Sequence, residues 1–294
     1  MLEAIHSYAD RLVAAGLLPE MFSYAFLVNA SIVAVIVGPL LGILGTLVVV
    51  KRLAFLSEAV GHSALTGIAL GVYFGESTDS PWISLCSFSV LFALILQWVK
   101  GRTRVPYDTL IGVFLSFALA LGAALLMAVA KMVNAHLLDS VLFGSILTAG
   151  GDDIAVIAVI ALIVGVLSFF YGNEALLTAL NPDVAHTLRI NTTLHDYGFV
   201  LLVALVTVAS VKIIGAILVG ALLLIPAASA RLIAANLRSM LIWAVVIATS
   251  SAVLGVLLPM YMQWALATGP AIVLSACLWF LFAIGVNALR QTET

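Results

Sequence analysis

The sequence predicts an all-α protein, a bundle of membrane-spanning helices that crosses the bilayer about 8–10 times. Of its 294 residues, 64% are hydrophobic and only 9% are charged, and the mean hydropathy is +1.25. A soluble domain carries about 25% charged residues. The apolar residues form continuous runs of about 20, which is the length of a helix that spans a bilayer. Barrel strands would instead alternate apolar and polar residues.

Nine segments qualify as candidate spans: 22–50, 54–74, 82–99, 108–130, 154–171, 197–211, 214–232, 241–258 and 271–288. The first is long enough to be tilted or broken near Pro39. The sixth and seventh nearly touch, so they form either two helices or one broken helix. Residues 21–290 are therefore expected to form a single transmembrane domain.

Residues 1–20 precede the first span and have their own pattern. Leu2, Ile5, Ala9 and Leu12 recur at helical spacing, with the charged Asp10 off that face. This pattern predicts an amphipathic helix that lies in the membrane interface. A frayed, solvated helix is the alternative interpretation.

Basic residues indicate the orientation of the chain, because short cytoplasmic loops of membrane proteins are enriched in lysine and arginine. With the N-terminus outside and the C-terminus inside, nine of the twelve fall on the cytoplasmic side. The nine are Lys51, Arg52, Lys100, Arg102, Arg104, Arg189, Arg231, Arg238 and Arg290. Arg11, Lys131 and Lys212 do not fit this pattern.

Small residues and cysteines indicate packing rather than chemistry. Gly38 and Gly42 form a pair at four-residue spacing, and Gly67, Gly71 and Gly75 continue this spacing in the second span, which favours close contact between helix backbones. The two cysteines, Cys86 and Cys277, lie far apart in apolar stretches and are interpreted as small core residues. The net charge of −2 gives no indication of nucleic-acid binding.

Glu58 and His62 form the conspicuous ionisable pair inside a predicted span. Their spacing of four places them on one face of a helix, and charged groups within a membrane are functional candidates. A carboxylate and an imidazole together suit a divalent first-row metal, and a two-fold dimer would bring four such ligands together. A structural Glu–His hydrogen bond and a proton relay remain open. His136, with Asp139 in an outward connection, is a weaker candidate.

The longest polar stretch, residues 172–196, contains the predicted start of a short helix at Asn181, Pro182 and Asp183. Asparagine caps helices, proline suits the first turn, and an acidic residue favours the positive helix end. A helix over about 181–190, flat on the cytoplasmic surface, would serve as a docking element. An ordinary connecting loop is the alternative.

The chain has no phosphate-binding loop, because none of its lysines follows the glycine pattern that such a loop requires. Several blocks nevertheless resemble the manganese, zinc and iron ABC permease family. They are 51–70 (KRLAFLSEAVGHSALTGIAL), 107–114 (YDTLIGVF), 142–147 (LFGSIL), 212–231 (KIIGAILVGALLLIPAASAR) and 269–273 (GPAIV). They occur in the family's order and cover most of the chain.

This resemblance implies a type II ABC importer-like permease that moves a divalent metal (Mn, Zn or Fe) across the cell membrane of a prokaryote. It implies a homodimer, separate cytoplasmic ATPase subunits and an extracytoplasmic metal-binding protein that delivers the ion. The permease would itself be no enzyme and would hold no permanent cofactor. Glu58 and His62 would be metal ligands, although the family usually has aspartate at position 58. Residues coupling the permease to the ATPase would be Pro182, Asp183, Ala185 and Arg189.

A different class of protein, a stand-alone carrier coupled to protons or ions, is the rival function. Such a carrier would use Glu58 and His62 as a proton relay and would also lack nucleotide-binding motifs. Transport that depends on a partner ATPase separates the two hypotheses.

Overall fold

A computed structural model describes residues 2–16, 18–76, 82–129, 146–263 and 266–292. These residues form eleven α-helices, two short 3-10 turns and no strand. The helices are α1 (Leu2–Ala14), α2 (Ala25–Val50), α3 (Leu56–Tyr73), α4 (Trp82–Arg102), α5 (Tyr107–Val129), α6 (Gly151–Leu180), α7 (Pro182–Thr187), α8 (Thr192–Ile214), α9 (Ala216–Ile233), α10 (Leu237–Tyr261) and α11 (Thr268–Thr292). The predicted all-α membrane bundle is confirmed.

Eight of these helices are long and apolar enough to cross a membrane: α2, α4, α5, α6, α8, α9, α10 and α11. The 18-residue α3 is long enough but is not among them. Its Glu58, His62, glycines and hydroxyl side chains reduce its hydropathy. With α3, which packs between other helices of the bundle, the number of spans reaches the nine that the sequence indicates.

Two of the ambiguous spans are resolved by the backbone. The α2 helix continues through Pro39 without a break. The α8 and α9 helices are separate and meet at Gly215, which has a φ angle of +88°. Because this left-handed conformation favours glycine, Gly215 allows the chain to end one helix and begin the next within a single residue.

The connections between helices divide the bundle into two ends. One end carries most of the basic residues and is called the basic end below. At this end, the last residues of α2 and the first turns of α8 are linked by Lys51 Nζ and Asp196 Oδ1, which are 2.5 Å apart. Arg290 Nη1 at the end of α11 donates to the carbonyl oxygen of Ile233 at the end of α9, over 2.8 Å. At the opposite end, Asn29 Nδ2 of α2 donates to the Ala149 oxygen just before α6.

The nine basic residues that the sequence assigns to one side lie at or next to helix ends at the basic end. The helices α2, α4, α6, α9 and α11 end there, and α5, α8 and α10 start there. The positive-inside rule predicts that this end faces the cytoplasm. Lys212 lies at the opposite end, and Lys131 is outside the described residues.

Glycines bring α2 into close contact with its neighbours. A Cβ atom added at Gly38 would lie 2.5 Å from Thr249 Cα of α10, and one at Gly42 would lie 2.9 Å from Val245 Cα. At Gly45 the distance to the Leu223 oxygen of α9 would be only 2.0 Å. The predicted packing role of Gly38 and Gly42 is thus confirmed, and Gly45 adds a tighter contact.

The α3 helix packs against α4, α5, α8 and α9. Gly67 and Gly71 face the start of α4, where an added Cβ would lie 3.0 Å from Leu85 Cα and 2.9 Å from Ser84 Cβ, respectively. Thr66 Oγ1 donates to the Ala118 oxygen of α5 over 2.8 Å. The predicted packing face is confirmed for Gly67 and Gly71 but wrong for Gly75, which has open space around it and a φ of +86° beyond the helix end.

The predicted N-terminal helix forms as α1 and is tied to the bundle at the end opposite to the basic end. His6 Nε2 hydrogen-bonds with Asn29 Oδ1 of α2 over 2.9 Å. An apolar groove of about 390 Å³ runs between α1 and α2 and is lined by residues such as Ile5, Leu12 and Ile32. The interfacial position of residues 1–20 stays a prediction. Cys86 and Cys277 are both free, as the sequence indicates.

Candidate functional site

The two candidate metal ligands lie on one side of α3, which the described helices leave uncovered. Glu58 is exposed, and His62 one turn later is partly buried. Phe55 before them is 55% exposed, and Leu65 after them is partly exposed. These four residues, called the α3 stripe below, follow the helical repeat. An exposed carboxylate inside a bilayer would face lipid at a high energetic cost unless another molecule covers it.

Glu58 and His62 make no hydrogen bond or ion pair with each other among the described residues. The structural alternative, in which the two residues form a hydrogen-bonded pair that stabilises the bundle, is therefore not seen in the single chain. In addition, the Nδ1 atom of His62 is buried without a hydrogen-bond partner. Leaving such an atom unsatisfied costs about 1–3 kcal/mol, and because Nδ1 faces the interior of the chain, the other ring nitrogen, Nε2, is the one that a ligand on the uncovered side would meet.

A single chain does not hold a complete metal site within its described part. No group of three or more histidine, cysteine, aspartate or glutamate side chains comes together there. A carboxylate and an imidazole provide two ligand groups, whereas structural and catalytic transition-metal sites commonly take three or four. The α3 stripe alone therefore offers fewer ligand groups than such a site commonly takes. His136 and Asp139 lie outside the described residues.

A cavity connects the basic end with the beginning of the α3 stripe. It has a volume of about 490 Å³ and is lined by Phe55, Asp108, Arg231, Ala228 and Arg52, among others. Phe55 is one helical turn before Glu58. Asp108, Arg52 and Arg231 are exposed and place charged groups at the opening of the cavity. The cavity therefore reaches from the basic end to Phe55, and neither Glu58 nor His62 is among the residues that line it.

The predicted cytoplasmic helix forms as the six-residue α7 at the basic end, with Pro182 in its first turn and Asp183 next to it. The predicted cap is absent, because the Asn181 side chain accepts no hydrogen bond from the helix. Instead, the backbone N–H of Asn181 closes the preceding helix α6 by donating to the Leu177 oxygen. Pro182, Asp183 and Arg189 are exposed.

One predicted coupling residue lies in a different place from the others. Ala185 has an exposure of 0% and packs inside its own chain, so it offers no surface to a partner. The exposed apolar residues of this segment are Val184 and Leu188, at 41% and 62% exposure. Sequence reasoning missed both, although two apolar side chains in a polar loop were the signal that would have identified them.

Comparison with known proteins agrees with this geometry. The chain is 31% identical to the manganese import system permease protein ScaB of Streptococcus gordonii over 89% of this chain and 91% of that protein. It is 29% identical to the high-affinity zinc uptake system membrane protein ZnuB of Haemophilus influenzae, over 90% of this chain and 98% of that protein.

A solved structure has the same fold as the described chain. PsaBC from Streptococcus pneumoniae, in complex with Fab, superposes with a TM-score of 0.76 at 29% identity, covering 88% of this chain and 91% of that chain. The profile of the ABC 3 transport family matches residues 23–287, which take in all nine predicted spans except their outermost residues 22 and 288. The chain is therefore a multi-pass membrane protein that belongs to the ABC 3 transport family.

Proposed function

We propose that this chain is the permease subunit of an ATP-driven importer that moves a divalent transition metal, Mn, Zn or Fe, into the cytoplasm. The observation that carries the proposal is the pair of exposed Glu58 and partly buried His62 on α3, a helix that is long enough to span the membrane but too polar to count as a span by itself. Relatives named as manganese and zinc permeases support the choice of cargo.

Two copies of the chain would form the transport path between them. Each α3 stripe would face the other across a two-fold axis, so that two carboxylates and two imidazoles surround the ion. Dimerisation would also remove Glu58 from lipid, which resolves the energetic cost of its exposure in the single chain. Oxygen and nitrogen ligands of this kind suit Mn, Fe and Zn alike, so the pair by itself selects the class of metal rather than one member.

The energy for transport would come from separate ATPase subunits at the basic end, because the sequence contains no nucleotide-binding loop of its own. The surface that we propose for their docking is α7 with its flanks: Val184 and Leu188 as apolar contacts, and Pro182, Asp183 and Arg189 around them. A metal-binding protein would deliver the ion at the opposite end, and the complex would reside in the cell membrane of a prokaryote.

The direct test is uptake of radioactive Mn or Zn into vesicles that contain the purified permease with its ATPase. Glu58→Ala and His62→Ala should each abolish uptake, while the amount of assembled complex stays unchanged. Glu20→Ala and His6→Ala provide matched controls, because these residues carry the same chemical groups at the end opposite to the basic end. Uptake that survives in both stripe variants would refute the site.

A second arm separates the proposed importer from a proton-coupled carrier. The importer requires its ATPase and hydrolysable ATP inside the cytoplasmic compartment, and it works without a proton gradient. A carrier would transport with the permease alone when a gradient is imposed. Metal uptake by the permease alone would therefore overturn the assignment.

A further inference from the structure

Lys212 lies in the last turn of α8, at the end of the bundle opposite to the basic end. Its Nζ atom is 3.3 Å from Asp153 Oδ1 at the start of α6, and 4.1 Å from the ring centroid of Trp82 at the start of α4. A lysine at this end does not contribute to the positive-inside orientation, and a charged group at the membrane is retained at an energetic cost. Its contacts therefore call for another explanation.

These three residues form a joint between three helices. The side chains of Lys212 and Asp153 are only 21% and 26% exposed. The second carboxylate oxygen of Asp153 accepts a hydrogen bond from the Gly150 N–H over 3.2 Å, so the first turn of α6 holds the carboxylate in place. An ammonium group over a tryptophan face adds a cation–π attraction. Lys212 is thus held from two sides by groups that are themselves fixed at helix ends.

The joint lies beside the turn that connects α8 with α9. Gly215 in this turn has a φ of +88°, and α9 starts at Ala216. Val211 and Ala216, on either side of Lys212 and Gly215, contact α3 at Gly61. Their methyl groups lie 3.6 Å from the position that a Cβ of Gly61 would occupy. Gly61 immediately precedes His62, so the position of this turn affects the position of α3 at the α3 stripe.

We propose that Lys212 is a positioning residue for transport: through Asp153 and Trp82 it holds the α8–α9 turn against α3 at Gly61, next to His62. The inference rests on the proposed function in taking Glu58 and His62 as the site. Any movement of α3 relative to α8 and α9 during transport would separate the turn from Gly61, and the Lys212 joint opposes this separation.

The test measures access to the turn and needs no metal. Ala216→Cys is introduced into the full transporter in cells, with Cys86→Ala and Cys277→Ala to remove the native thiols. A membrane-impermeant maleimide is added from outside, and the labelling rate is compared with and without Lys212→Met. Loss of one partly buried charge interaction should raise the labelling rate roughly tenfold. Asp153→Asn should have the same effect, because the amide oxygen can still accept from Gly150 while the charge is lost.

Two control variants separate positioning from general stability. Lys212→Arg keeps the charge and the stacking on Trp82, so the labelling rate should stay near that of the parent protein. Asp152→Asn removes the neighbouring exposed carboxylate, which has no ion-pair partner among the described residues, and should change nothing. Assembly with the ATPase is checked by gel filtration for each variant.

Three results would overturn the inference. The first is unchanged labelling in Lys212→Met together with a lower melting temperature, which would mean that Lys212 only stabilises the fold. The second is fast labelling of Ala216→Cys with Lys212 intact, which would mean that Lys212 does not hold the α8–α9 turn against α3. The third is an arginine variant that behaves like the methionine variant. Failure of the metal site would show separately, as uptake that survives Glu58→Ala with labelling still dependent on Lys212.

Discussion

The consecutive helices α2 and α3 are both largely buried but differ in what their sequences are used for. α2 contains no charged residue, and its three glycines bring it against α9 and α10 at distances that leave no room for a side chain. α3 also packs closely against α4 through Gly67 and Gly71, and against α5 through Thr66. The side that carries Glu58 and His62 is left open by the described residues.

A transport helix must be fixed in the bundle and must also keep some freedom at the site, and α2 and α3 differ in these two properties. The packed side of α3 fixes the helix in the half that lies away from the basic end, while the contact at Gly61, next to His62, is ordinary van der Waals distance. α2 is fixed along most of its length. We infer that α2 is scaffold, whereas α3 is held firmly at one level and more loosely at the level of the site. The predictions below test this contrast.

The largest effect on stability is expected for Gly45→Ala in α2. The new Cβ would be 2.0 Å from the backbone oxygen of Leu223, so α2 and α9 must separate. Overpacking of this kind costs typically about 1–3 kcal/mol, and a clash with backbone lies at the upper end of that range. The melting temperature of the purified permease measures the effect. Gly220→Ala in α9 is the control, because nothing lies within 4 Å of its added Cβ. Equal melting temperatures of the two variants would contradict the prediction.

Glu58→Gln in α3 should weaken metal binding without lowering stability. The amide keeps the size of the side chain but removes its charge, so stability should be unchanged or higher, since no described residue pairs with the carboxylate. Metal affinity should fall by roughly 100-fold, because even the loss of a residue that only supports a ligand lowers metal affinity by about 10- to 100-fold. Calorimetric titration of the purified permease with Mn and Zn measures this. Unchanged affinity in Glu58→Gln would remove the residue from the proposed ligands.

The number and positions of the spans were largely predictable from the sequence, whereas the break between α8 and α9 was not. The bilayer dictates a minimum apolar length, so most spans were located to within a few residues, including α3 with its charged pair. The exception is α6, which continues to Leu180, well past the predicted end at residue 171. The nine basic residues that the positive-inside rule groups on one side lie at one end of the bundle, whereas Lys212 lies at the other. The break at Gly215 could not be assigned, because two adjoining apolar runs look the same whether they form one helix or two. Only a backbone angle distinguishes the two cases.

The site was predictable where a residue is conspicuous by its own chemistry. Glu58 and His62 stand out in an apolar span, and their spacing alone places them on one face. By contrast, the partner of Lys212 is 59 residues away in sequence, and no local pattern links the two. The burial of Ala185 was likewise not predictable, because in a short helix the direction of the chain on either side decides which residue faces inward.

The third prediction concerns the docking surface on α7, where exposure decides the outcome. Leu188→Ser removes an apolar side chain that is 62% exposed, so the stability of the permease should be unchanged. If Leu188 contacts the ATPase, affinity between the subunits should fall about tenfold, which corresponds to 1.4 kcal/mol. Ala185→Trp is the matched change in the interior and should lower the melting temperature instead. Binding of the ATPase to immobilised permease measures affinity, and an unchanged value for Leu188→Ser would exclude that contact.

The smallest effect, and the sharpest test of the contrast within α3, is expected for Gly61→Ala. In a helix, alanine is favoured over glycine by about 1 kcal/mol. At Gly61 the new methyl group would meet Ala216 and Val211 at 3.6 Å, so this gain should be retained and the melting temperature should rise slightly. At Gly67 the same change brings the methyl group to 3.0 Å from Leu85 Cα and the Ser84 oxygen, so the clash should offset the gain. Gly67→Ala should therefore melt below Gly61→Ala. If the two variants rank the other way, α3 is packed as closely beside His62 as it is against α4, and the site helix is no looser than the scaffold.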